Sequence, residues 1–153
     1  MHQSSGQYQT ILDQLREKMG YDFVSLAFAQ SEADGFVLTW QYASGNLNNR
    51  YKRIVLQSGK GIAGIVYKTG KPMLVEDVAD ELNSGDLFNY PILISERLTS
   101  VAAIPLYRFE RVEGILLAGY RENSRFTREG LRMLHAQLRG EFGDFEVKEM
   151  SVL

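Results

Sequence analysis

Apolar residues recur at helical spacing at both ends of the chain. The first helix is predicted from a run that Ser4 or Ser5 can cap and Gly20 can close; its apolar positions are Tyr8, Ile11, Leu12, Leu15 and Met19. The last begins after Thr127 as N-cap and carries Leu131, Leu134, Leu138 and Phe142, while Gly140 and Gly143 weaken its end. The chain is therefore expected to begin and end with an amphipathic helix.

Between these helices the apolar residues alternate or run continuously over short lengths, which is typical of strands. A hairpin turn is expected at 33–35, and 108–111 joins a second hairpin. The two strands of that second hairpin are apolar enough to be buried on both faces or nearly so. The predicted strands are 21–30, 36–43, 51–56, 73–75, 99–107 and 112–120.

Two segments do not follow the strand pattern. Residues 57–72 read QSGKGIAGIVYKTGKP and predict a glycine turn followed by a short apolar helix. Residues 76–98 have no clean period, and we expect one or two helical turns within a long excursion. Because the excursion is rich in apolar residues, it should pack over the domain as a lid; these residues are Leu87, Phe88, Tyr90, Pro91, Ile92, Leu93 and Ile94.

The order of elements predicts an α/β chain of the α+β type. A central antiparallel sheet would carry the two terminal helices on one face. The short helix and the excursion would cover the other face. A length of 153 residues fits one domain over 1–153 with a substantial core.

Composition narrows the function. The formal net charge of −2 argues against a general nucleic-acid binder, and no apolar run is long enough to cross a bilayer. The N-terminus lacks the basic and apolar regions of a secretory signal, so we expect a cytoplasmic protein that needs neither membrane nor nucleic acid.

The chain has no cysteine and only two histidines, His2 and His135. Disulfides, thiolate catalysis and cysteine-ligated metals are excluded, and neither histidine has a partner at metal-ligand spacing. With no clear carboxylate dyad either, we expect no enzyme activity, no cofactor and no metal site.

The glycine turn at 57–72 offers one chemical possibility. A helix N-terminus presents unpaired N–H groups and a positive dipole end, so it can seat an anion without a charged side chain. Glycine-rich turns are common, and the alternative that these glycines only turn a strand into a helix remains open on this stretch alone.

Several motifs, in this order, resemble the GAF domain family of small-molecule-sensing modules. The similar pieces are Gly59–Gly64, Gly70–Pro72, Ser100–Leu106, Val112–Leu116 and Arg125–Thr127. The match covers nearly the whole chain and implies the GAF fold, with the short helix and the long loop enclosing a ligand pocket.

The subfamilies of GAF domains narrow the ligand. Bilin-binding members and methionine-sulfoxide reductases need cysteines, and haem-binding members need an axial histidine that is not well placed here. The motif of cyclic-nucleotide-binding members is absent, since Asn123–Phe126 lacks its lysine and acidic pair.

Stand-alone GAF proteins that serve as nitrate receptors for an oxygen-sensing histidine kinase look most similar, above all around 88–92. That resemblance implies backbone donors to nitrate at Ile62, Ala63 and Ile92, the last following Tyr90-Pro91. Trp40 matches the pocket tryptophan and Tyr90 the pocket tyrosine. Taken singly, Trp40 also fits a core residue, and Tyr90-Pro91 a turn.

Nitrate agrees with the chemistry of the stretch. The partial charge of a helix N-terminus suits a monoanion, whereas a phosphate would call for an arginine or lysine clamp, and none is evident beside the turn. The alternatives are a GAF module for another small ligand, or an interaction-only GAF protein with a filled pocket. The terminal helices could also form a homodimer.

Overall fold

Six antiparallel strands form a single sheet in the computed structural model, which describes residues 5–33, 35–122 and 124–149. The strand order is β3-β2-β1-β6-β5-β4. The bounds are β1 Phe23–Glu32, β2 Gly35–Ser44, β3 Val55–Gln57, β4 Met73–Val75, β5 Ser100–Arg108 and β6 Arg111–Tyr120. The two hairpins expected from the sequence, β1–β2 and β5–β6, therefore lie side by side through the pairing of β1 with β6.

Five helices flank the sheet in the described part of the chain. They are α1 Ser5–Met19, α2 Gly61–Thr69, α3 Val78–Glu81, α4 Pro91–Ser95 and α5 Arg128–Leu138. Two 3₁₀ turns, Arg50–Arg53 and Asp86–Asn89, lie in the connections. The excursion at 76–98 thus contains α3, one 3₁₀ turn and α4, and we refer to it as the lid segment.

Alternate residues of the central strands feed two separate cores. On β6, Leu116 and Ala118 belong to the core under α1 and α5, while Ile115 and Leu117 belong to the core under α2 and the lid segment. This arrangement follows from the two-residue period of a strand, which sends successive side chains to opposite faces. It confirms the predicted placement of the terminal helices on one face and of the short helix with the excursion on the other. The expectation that all apolar residues of the excursion pack down is wrong for Phe88 and Ile94, which are exposed.

The helix ends follow from their capping residues. The Thr127 hydroxyl accepts a hydrogen bond from the Gly130 amide at 3.0 Å, which confirms it as the N-cap of α5. Gly20 closes α1 with a φ of +74°. Helix α5 stops at Leu138, earlier than its apolar stripe, yet Phe142 is still buried in the same core after the turn at Gly140.

The expected strand at 51–56 is wrong over most of its length. Residues 50–53 form a 3₁₀ turn, and β3 covers only 55–57. The Asn48 side-chain oxygen accepts from the Arg50 amide at 2.8 Å, and the Ile54 amide bonds the Tyr51 carbonyl at 3.2 Å. These local hydrogen bonds compete with a sheet ladder and delay the strand.

His2, Ser4 and Asn123, which the sequence analysis named, lie outside the described residues, as does Asp34 in the expected hairpin turn at 33–35. None of the helices in the described part of the chain combines the length and apolar character needed to cross a membrane.

Candidate functional site

The N-terminus of α2 is built by a closed glycine turn. The Gly59 amide bonds the Gly64 carbonyl at 2.8 Å, and the Lys60 amide bonds the Gln57 carbonyl at 2.9 Å. Gly59 and Gly61 have φ values of +82° and +66°, which side chains rarely adopt. A Cβ at Gly64 would collide with the Gln57 carbonyl oxygen. The glycines are therefore needed to bring strand β3 directly into the helix.

This turn leaves the first amides of α2 without partners. The first intrahelical bond runs from the Gly64 amide to the Lys60 carbonyl at 3.1 Å. The preceding amides of Ile62 and Ala63 have no acceptor among the described residues. Both residues are buried in the core under the lid segment, so these donors are also withheld from bulk water.

A third buried amide of this kind lies in the lid segment. Pro91 occupies the first position of α4, and Ile92 follows with only 1% of its surface exposed. The Leu93 amide bonds the Tyr90 carbonyl at 3.0 Å, but the Ile92 amide has no acceptor among the described residues. Tyr90 is half-buried, and its side chain packs against the core that contains Ile92.

Trp40 contributes a side-chain donor to the same core. It lies on β2 opposite Ala27, and 1% of its surface is exposed. Its indole Nε1 is buried and has no hydrogen-bond partner among the described residues. Since most buried indole N–H groups find a partner, this donor is unusual for a residue that serves only to fill a core.

The structure therefore places Trp40, Ile62, Ala63 and Ile92 in one apolar core, with Tyr90 against it. Together they hold four N–H donors that no described residue satisfies. No lysine or arginine is among the buried residues of the described chain, and Lys60 is exposed. Chemically, such an arrangement suits an acceptor that carries at most a small negative charge.

Glu96, which the sequence analysis did not identify, follows α4 near the end of the lid segment and is fully buried. Its Oε1 accepts from Arg121 Nη2 and from the Leu47 amide, each at 2.8 Å. Arg121 also donates from Nε to the Glu96 carbonyl at 2.8 Å and from Nη1 to the Asp22 carbonyl at 3.1 Å. This network fixes the end of the lid segment to the ends of β1 and β6.

The charge of Glu96 also acts on a neighbouring tyrosine. Burial raises the pKa of Tyr51, and the Glu96 carboxylate raises that pKa further. Tyr51 therefore keeps its hydroxyl proton within the core under the lid segment. The described residues contain no group of three or more histidine or carboxylate side chains that could hold a metal ion.

The fold and the motif order define the class of the protein. The model of the GAF domain family matches residues 7–138, and the chain belongs to that family.

Within this family the chain is similar to NreA of Staphylococcus aureus, solved in forms mutated in the nitrate binding site. One such structure is 42% identical and covers 80% of this chain and 89% of its own, with a TM-score of 0.76. Another is 39% identical and covers 85% and 99%, also with a TM-score of 0.76.

A hypothetical protein from S. aureus is 43% identical and covers 79% of this chain and 98% of its own, with a TM-score of 0.75. More distant structures share the fold alone. They include a free methionine-R-sulfoxide reductase from Thermoplasma acidophilum, at 18% identity and a TM-score of 0.63. No curated protein matched the chain significantly.

Proposed function

We propose that this chain is a cytoplasmic, non-enzymatic nitrate sensor that modulates a sensor histidine kinase of the NreB type, which controls genes of nitrate and nitrite respiration. Nitrate would bind at the N-terminus of α2. The amides of Ile62, Ala63 and Ile92 and the indole N–H of Trp40 would donate to its oxygens. Tyr90 and Pro91 would exclude water from the site.

The observation that carries this proposal is the set of four buried donors without acceptors. An unsatisfied buried donor costs about 1–3 kcal/mol, so four in one core form a large unfavourable contribution unless an acceptor is bound. Nitrate offers three oxygens in a plane, each of which can accept from more than one donor. The similarity to NreA structures, whose nitrate binding site was mutated, supports the same ligand.

The charge of the site supports a monoanion over phosphate or sulfate. The N-terminus of a helix carries about half an elementary charge, which balances one negative charge in part but not two. Phosphate sites usually add arginine or lysine, and the core that holds these donors contains neither among its described residues. Nitrate is also weakly hydrated, so its transfer into an apolar core is less costly than that of a doubly charged ion.

The proposed mechanism uses the lid segment. Two of the donors lie on α2, which packs on the sheet, and one lies on α4. An anion bound to both helices would favour conformations in which α4 is packed down. The kinase could detect this shift through Ile94, which is exposed on the outer side of α4.

The test is a thermal-shift series with nitrate, nitrite, chloride, sulfate and phosphate at equal ionic strength. A ligand that binds only the native state raises the melting temperature with its concentration. We expect the largest rise with nitrate and little with sulfate or phosphate. No rise at millimolar nitrate would refute nitrate binding. A larger rise with another anion would show that the site serves a different ligand.

A further inference from the structure

Exposed apolar and basic side chains occur near the end of the lid segment and on residues 47–53, which are hydrogen-bonded to it. Leu47 and Ile94 are 51% and 49% exposed. Arg50, Arg53 and Arg97 are also exposed. We call these five residues the lid surface.

Hydrogen bonds hold the two segments of the lid surface together. The Leu47 amide donates to Glu96 Oε1 at 2.8 Å, and Asn48 Nδ2 donates to the Ser95 carbonyl at 2.9 Å. The 3₁₀ turn at 50–53 packs against α4. The two segments of the lid surface are therefore joined by direct contacts, and a movement of α4 would be transmitted to both.

The positive charge of the lid surface is not neutralised within the described chain. None of its three arginines forms an ion pair with a described carboxylate. The nearest acid in sequence, Glu96, is buried and paired with Arg121. Since the whole chain carries a net charge of −2, this concentration of cations is a local feature.

We infer that the lid surface binds an acidic segment with apolar side chains on a partner protein. The identity of that partner as the sensor kinase rests on the proposed function. Arginines beside exposed apolar side chains match an acidic amphipathic segment, because its carboxylates and its apolar face are both accommodated. A nucleic acid fits less well. The negative net charge of the chain repels a polyanion, and a phosphate backbone bound to the arginines would leave the exposed side chain of Ile94 without an apolar partner.

The lid surface also connects the partner to the buried donors. Ile92 faces the core, whereas Ile94 is exposed on the same five-residue helix. A ligand that fixes α4 from the inside therefore fixes part of the lid surface from the outside. The partner and the ligand would then influence each other's affinity through one helix.

The experiment measures binding of a purified sensor histidine kinase of the NreB type to the wild-type chain and to a triple variant, Arg50→Glu with Arg53→Glu and Arg97→Glu. We expect the variant to bind at least about ten-fold more weakly, because reversed charges repel an acidic partner. The control is Arg128→Glu with Arg132→Glu and Arg139→Glu, three exposed arginines on or just after α5, on the opposite face of the sheet. It changes the net charge equally and should bind like wild type.

A second variant, Leu47→Asp, tests the apolar part of the lid surface and should also weaken kinase binding. Equal binding by the lid-surface variants and wild type would overturn the inference, as would equal loss in the α5 control. Binding of duplex DNA that is lost only in the triple variant would overturn the assignment to an acidic protein.

The nitrate thermal shift of each variant separates this inference from the proposed function. The lid-surface variants should keep the wild-type shift, since no lid-surface residue supplies a proposed donor. A normal nitrate shift in a wild-type chain that does not bind the kinase would refute the docking site alone. Kinase binding that depends on the lid surface, in a chain with no nitrate shift, would refute nitrate sensing alone.

Discussion

Trp40 combines two properties that usually exclude each other, complete burial and an unsatisfied polar atom. Its ring fills the core under the lid segment, while its Nε1 has no partner among the described residues. Packing alone explains the ring but not the choice of a side chain with an N–H group. A Phe at this position would keep most of the apolar contact and remove the donor.

Trp40→Phe should therefore weaken nitrate binding by roughly ten-fold or more, since a hydrogen bond to a charged group contributes about 1.5–3 kcal/mol. Isothermal titration calorimetry measures the affinity, and a urea titration measures the stability without ligand. Trp40→Ala is a poorer test, because truncating a buried Trp costs about 3–5 kcal/mol through the cavity alone. Unchanged nitrate affinity in a folded Trp40→Phe variant would show that the indole N–H does not donate to the ligand.

Ala63→Pro tests a backbone donor directly. Proline is tolerated in the first turn of a helix, but it has no N–H group, so the variant should lose most of the nitrate response while keeping its fold. Ala63→Gly is the matched control, because it keeps the amide; it costs about 1 kcal/mol of helix propensity and the packing of one buried methyl group. Circular dichroism checks the fold, and calorimetry checks binding. Nitrate binding by folded Ala63→Pro at wild-type affinity would place the donors elsewhere.

The helices and strands differ in how well the sequence predicts them. Helices α1 and α5 and the hairpin β5–β6 follow from spacing, because each buries a stripe or a face defined by neighbouring residues. The 3₁₀ turn at 50–53 was not predicted, because the apolar residues in this stretch have the spacing of a strand. The turn forms because the Asn48 side-chain oxygen accepts a hydrogen bond from the Arg50 amide. The turns of the lid segment depend on contacts with residues distant in sequence. The local spacing of apolar residues gives no information about such contacts.

In the candidate site, too, some residues could be predicted from the sequence and others could not. The glycine turn could be predicted from Gly59, Gly61 and Gly64. Trp40 was predicted as a pocket residue only from the resemblance to the GAF family. Glu96 could not be predicted, because its burial depends on Arg121, which is distant in sequence and approaches only when β6 is in place. A lone acidic residue in an apolar-rich excursion gives no signal of such a partner.

Because Glu96 joins the lid segment to the sheet, Glu96→Ala should destabilise the protein by about 3–5 kcal/mol, the usual cost of breaking a buried ion pair. Arg121 would lose its carboxylate partner, and the Leu47 amide would lose its acceptor. Urea denaturation measures the free energy of unfolding. Glu76→Ala removes an exposed carboxylate and should change stability by less than about 0.5 kcal/mol. A similarly small change for Glu96→Ala would show that the network is not required to hold the lid segment.

At the scale of the whole molecule, one sheet separates two cores with different neighbours. The core under α1 and α5 contains none of the four donors, and the core under α2 and the lid segment contains all of them. The pairing of β1 with β6, which joins the hairpins, was not predicted from the sequence. Local sequence patterns predict hairpins, but they do not determine which strands of two hairpins pair with each other.

Nitrate should therefore protect one face of the molecule more than the other. In hydrogen–deuterium exchange, we expect the largest slowing in peptides that contain residues 61–66 and 92–98, because ligand contacts suppress local opening there. Peptides from α1 and α5 should change least, and chloride at equal ionic strength is the control. A largest effect in α1 or α5 would place the ligand on the opposite face of the sheet.

Three of the four proposed donors belong to the main chain, and this has a consequence for genetics. Replacing Ile62, Ala63 or Ile92 by almost any residue leaves its N–H group in place, so an alanine scan or a random missense screen would pass over them. The same substitutions would alter packing and be classified as structural. These side chains can accordingly change in evolution while the N–H donors remain. Only a substitution that removes the N–H group, by proline or a backbone ester, would reveal the role of these donors.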